Sequence, residues 1–130
     1  RMQESLPVDH QERILVAYDL GRRLVAARPA QAVEFTTRYV EALRGDSRLQ
    51  RGLRGEFLSM RFKSHLQLRE FEAAEADGIE ASEQFSALGA PGRVARQELA
   101  PLMIALYESW AAVPGAPSHE QELSEWRKLR

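Results

Sequence analysis

Apolar side chains recur along this chain at spacings of three and four residues, and no run alternates β-branched and aromatic positions around an Asn-Gly or Asp-Gly turn. That pattern predicts helices and argues against strands. A first helix is expected over "HQERILVAYDLGRRLVAAR", with Ile14, Tyr18, Gly21 and Val25 on one face and Asp9 with Glu12 as a capping box. Pro29 ends it and opens a second helix, where Val33, Thr36, Val40 and Leu43 form the stripe and Gly45 is placed for a left-handed C-cap. Asp46 or Ser47 can cap a long third helix over 47–76, which "ADG" at 76–78 closes, if Gly52 and Gly55 are tolerated within it; otherwise the helix begins after them. A short fourth helix carries Ile79, Phe85 and Leu88 before "GAPG" breaks the chain.

The fifth helix, around 93–113, has the cleanest periodicity: Leu99, Met103, Leu106, Trp110 and Val113. Pro101 predicts either a kink within it or its start. After the linker "VPGAPS", Ser118 with Gln121 can cap a final amphipathic helix carrying Leu123, Trp126 and Leu129. The expected fold is an all-α bundle of five to six helices with one long central helix. Its body covers 1–113, and 114–130 form a linker and a short amphipathic helix.

The charge pattern changes this picture most. On a helical wheel Arg44, Arg48, Arg51, Arg54, Arg61, His65 and Arg69 share a sector of roughly 140°. Leu49, Leu53, Phe57, Met60, Leu68 and Phe71 lie opposite, and Leu58, Phe62 and Leu66 add a second apolar line, so the later half must be covered on two faces. The next stretch carries Glu70, Glu72, Glu75, Asp77, Glu80 and Glu83 and no base. Bases first and acids last oppose the helix macrodipole, so local helix electrostatics did not set this order. Three explanations compete: a surface matched to other helices of the same chain, a twofold contact between two copies, or an arginine ridge that tracks phosphates.

Composition mostly excludes. The 130 residues suffice for one domain with a real core, and 18 basic against 19 acidic side chains leave no global preference for nucleic acid or membrane. No run is apolar enough to span a bilayer and no secretory leader is visible, so a cytoplasmic protein is expected. Arg1, ahead of Met2, is expected not to be native, and the strong preference for arginine over lysine suggests a GC-rich bacterial source.

With no cysteine there is no thiolate site or thiol nucleophile. His10, His65 and His119 are scattered, and the near pairs His10 with Asp9 and His119 with Glu122 fall at helix starts. Glu72 and Glu75 share a face but lack the Glu-x-x-His pair of a bundle metal site. No phosphate-cradling glycine loop, HExxH or Gly-x-Ser-x-Gly elbow occurs. The sequence therefore assigns no catalytic, cofactor or metal residues.

It points to a non-catalytic protein-binding module, a homodimeric adaptor, regulator or chaperone-like protein. The partner-binding residues expected are Arg44, Arg48, Arg51, Arg54, Arg61, Arg69, Glu72 and Glu75. Sequence-nonspecific nucleic-acid binding through the arginine ridge is the alternative, and a ligand-holding bundle or non-catalytic subunit of an enzyme complex is a minor one.

Overall fold

The computed structural model describes the backbone of residues 8–129 and the side chains of residues 13–129. The expected Asp9–Glu12 capping box, His10 and Arg1 therefore lie outside the described side chains. Among the described residues all regular structure is helical: α1 Val8–Ala27, α2 Pro29–Ala42, α3 Arg48–Gln67, α4 Phe71–Ala87, α5 Ala90–Ala111 and α6 Glu120–Leu129. The chain is an all-α bundle. α3 is its centre, packing on α1, α2, α4 and α5, while α6 packs on α5.

The two-faced character of α3 explains this position. Phe57 is fully buried, stacked on Tyr39 at 5.0 Å between ring centroids and edge-on to Tyr18 at 6.2 Å. Leu58 and Phe62, on the second apolar line, are also fully buried, and Phe62 lies beside Gly78 of α4. The α5 stripe is core as its period requires: Met103 and Leu106 are fully buried and Leu99 and Trp110 nearly so. Leu123 and Trp126 of α6 are partly buried against the same cluster.

The structure corrects the sequence in several places. The helix expected over 47–76 is two helices, and the break lies at Leu68–Glu70. There Arg69 adopts the left-handed conformation (φ 60°), with its N–H donating to the Leu66 carbonyl and the Glu70 N–H to the His65 carbonyl. That is a Schellman ending with arginine in the position glycine usually takes. The Arg69 guanidinium over the Phe71 ring (5.0 Å) and the 2.7 Å contact of His65 Nδ1 with Glu70 Oε1 hold the strained turn.

Gly78, expected to end a helix, lies inside α4. A Cβ there would collide with Met103 and crowd Phe62, so this glycine serves close helix packing. Gly45 has no left-handed φ; its N–H donates to Gln50 Oε1 (2.5 Å), while Ser47 caps α3 by accepting from the Gln50 N–H (3.2 Å). Ile79 and Leu49 are exposed. α5 runs continuously from Ala90 past Pro101, whose ring faces solvent while Leu99 and Met103 on either side anchor the helix. α6 begins at Glu120, with the Leu123 N–H donating to the His119 carbonyl, so His119 rather than Ser118 occupies the cap position.

Two glycines should respond to alanine with opposite signs. At Gly92 a Cβ would run into the carbonyl group and Cα of Phe85, all backbone that cannot rotate aside, and Gly92→Ala should destabilise by about 1–3 kcal/mol. At Gly52 a Cβ meets only Leu88 Cδ1, at an ordinary 3.6 Å, so Gly52→Ala should stabilise by up to about 1 kcal/mol through helix propensity. Urea midpoints of the two variants check both signs.

Candidate functional site

The segment whose charges the sequence left unexplained forms an antiparallel hairpin, α3 descending and α4 returning. Bases on α3 therefore meet groups on α4 in reverse order. Arg48 donates to the Leu88 carbonyl (2.9 Å) and Arg51 to Gln84 Oε1 (3.5 Å) and to the Asp46 carbonyl (3.1 Å). Arg54 pairs with Glu80 and also donates to the Val40 carbonyl, tying the end of α2 to the hairpin. Arg61 forks onto Asp77, Nε to Oδ2 at 2.9 Å and Nη2 to Oδ1 at 2.8 Å, and donates its remaining arm to Thr37 Oγ1 of α2 at 3.0 Å.

Asp77 is the electrostatic centre of this seam. Its side chain is only 6% exposed and that of Arg61 only 19%. The hydrogen bond to Asp77 pushes the Arg61 guanidinium pKa above its ordinary value even though burial works against the charge. His65 Nε2 lies 3.6 Å from Asp77 Oδ2, so the same imidazole faces Asp77 on one side and Glu70 on the other. No buried side-chain nitrogen or oxygen lacks a partner among the described residues.

A second polar cluster holds the chain after α5. Tyr107, 1% exposed, donates its hydroxyl to Glu75 Oε2 (2.8 Å). Burial first, and the bond to Glu75 second, raise the phenol pKa and keep it a donor. The His119 ring lies against Tyr107 (4.9 Å) and Trp110 (4.4 Å), and Trp110 stacks on Phe71.

Set against family models, curated proteins and solved structures, the chain matches none of them. Its function must be argued from its own side chains.

The residues assigned to a partner thus divide. Arg54 and Arg61 are engaged with carboxylates of their own chain, and Glu75 accepts from Tyr107. Arg48 and Arg51 reach only neutral acceptors, Arg69 covers Phe71, and Arg44 and Glu72 are exposed with no side-chain hydrogen bond or ion pair among the described residues. Sequence reading missed Thr37, Gln84 and the central role of Asp77. The available signal was the reversed order of bases and acids, which antiparallel helices turn into facing pairs. Among the described residues no group of three or more His, Asp and Glu side chains is placed to hold a metal ion, and no helix is long and apolar enough to cross a membrane.

Proposed function

We propose that the chain is a non-catalytic, cytoplasmic protein-binding domain that pairs with a second copy of itself through the outer face of α1. The observation that carries this reading is the concentration of uncovered aliphatic surface on that helix: Leu15, Val16 and Leu20 are 63%, 67% and 44% exposed. The opposite face of α1, with Ile14, Ala17 and Val25, is already buried in the bundle. A helix apolar on both sides needs cover on both sides.

A second copy fits because the strip carries its own complementary charges. Asp19 and Arg23 form an exposed pair at 2.8 Å within the helix. In an antiparallel contact about a twofold axis at the level of Gly21, each Asp19 faces the partner's Arg23, the self-complementarity an isologous interface requires. This differs from a dimer built on the arginine ridge, because Arg54 and Arg61 already hold carboxylates of their own chain.

Val16→Glu with Leu20→Glu should leave the thermal transition nearly in place, since both sites are exposed, and should abolish the dimer in sedimentation velocity. A wild-type chain that stays monomeric across the accessible concentration range overturns the reading.

A further inference from the structure

The seam between α3 and α4 is not uniform along its length. Arg61 and Arg54 end on carboxylates, whereas Arg51 and Arg48 end on the Gln84 amide and the Leu88 carbonyl. A neutral acceptor satisfies a guanidinium's hydrogen bond and leaves its charge uncompensated. The end of α2, the start of α3, the end of α4 and the start of α5 converge at this pole of the bundle, and two further sets of arginines join it. Arg44 and Arg93 are exposed and make no side-chain hydrogen bond among the described residues, and Arg96 donates to the neutral Ser82 Oγ (3.0 Å).

Five arginines therefore stand at one pole without a carboxylate partner among the described residues. Glu80 there is already neutralised by Arg54; Glu41, Asp46 and Glu83 are exposed and make no ion pair among the described residues. Bases gathered at the starts of α3 and α5, with no acid in either first turn, are the arrangement helix dipoles disfavour, so helix stability does not account for them.

The surface there is concave in two places. One hollow of about 260 Å³ is lined by Arg44, Arg51 and Arg54 together with Asp46 and Glu80. The other, about 370 Å³, lies where α4 ends and α5 begins, with Leu129 of α6 on its wall; Arg93, Arg96, Ser86 and Gln97 supply its donors, and no carboxylate side chain of the described residues lines it. We infer that this pole binds a linear phosphate polymer, one phosphate entering the larger hollow and its neighbours running over Arg48 and Arg51 toward Arg44.

The spread of charge over four helix ends suits a chain of anions better than a single one. The smaller hollow is walled by charged and amide side chains with no large apolar one, whereas Leu129 stands among the arginines of the larger hollow, so competition by poly-glutamate is what separates a phosphate chain from an acidic protein partner. Phe85, the aromatic residue of the larger hollow, is 3% exposed and cannot stack a base, so contact is confined to phosphate oxygens and is indifferent to base sequence. This surface is separate from the outer face of α1, and either can fail without the other.

The test is fluorescence anisotropy of a labelled oligo-dT strand with the whole chain at low and moderate salt, with inorganic polyphosphate, duplex DNA and poly-glutamate as unlabelled competitors. Binding should weaken as salt rises. Arg44→Gln with Arg93→Gln removes two charges that make no hydrogen bond or ion pair among the described residues and should lower the salt slope by about 1 for each charge removed. Arg28→Gln, at the opposite pole, should change nothing, and circular dichroism melts confirm that all variants fold. Polyphosphate competing better than either DNA assigns the free polymer, and the reverse assigns the nucleic-acid backbone. No binding by the wild type at about 50 mM salt, where phosphate contacts are strongest, overturns the inference. So does a double variant that binds as the wild type does, or poly-glutamate competing as well as polyphosphate per charge.

Discussion

Arg61→Met should destabilise the bundle by about 3–5 kcal/mol, the cost of leaving a buried ion without its partner. Among the described residues Asp77, 6% exposed, would retain only the His65 ring at 3.6 Å, and Thr37 would lose one of the two arginine donors that link α2 to the hairpin. The 19% exposure of Arg61 admits some water and places the expected loss toward the lower end. Asp77→Leu added to Arg61→Met removes the stranded charge, and much of the stability should return, because replacing both members of a buried pair by apolar groups of similar size is often close to neutral. Urea titration of the single and double variants gives the coupling directly, expected within about 0.5–3 kcal/mol. Additive effects would mean that Arg61 and Asp77 act independently.

Leu106→Ala should cost about 2–5 kcal/mol, from lost burial and from the cavity left behind. Leu106 is fully buried on the α5 face that also buries Met103, Tyr107 and Leu99, and a helix held at both ends by such contacts cannot close the gap by moving. Leu15→Ala deletes the same atoms at a site 63% exposed and should stay within about 0.5 kcal/mol in the monomer. Equal denaturation midpoints for Leu106→Ala and the wild type would refute the assignment of this face to the core.

The α5 stripe was legible because its information is local. Leu99, Met103, Leu106 and Trp110 repeat at helical spacing, and any packing that buries one buries the others. The same holds for Ile14 and Val25 on α1 and for Val40 on α2 with Leu43 at its C-cap. The second apolar line on α3 likewise announced a central helix, and Leu58 and Phe62 are fully buried.

Breaks were less legible, since glycine carries two meanings that the sequence does not separate. Gly78 reads as a stop, yet it sits in mid-helix because Met103 and Phe62 press against it. The actual stop falls on Arg69, a residue with no intrinsic taste for the left-handed region, held there by the Glu70–His65 backbone bond and by contacts with Phe71. Pro101 likewise reads as a kink or a start, and packing on both sides carries the helix through it.

What the sequence determined by itself is the class of structure, the inward faces of most helices, and the existence of a basic run followed by an acidic one, because periodicity and charge order are properties of the chain alone. What only the tertiary structure decided is which charges meet. Folding back at Arg69 sets Arg61 against Asp77 and Arg54 against Glu80, and leaves Arg44, Arg48 and Arg51 without an ion pair among the described residues. That outcome turns on the position of one turn, and a shift of a few residues in it would have redistributed every partner, since antiparallel helices pair residues by a nearly constant sum of positions.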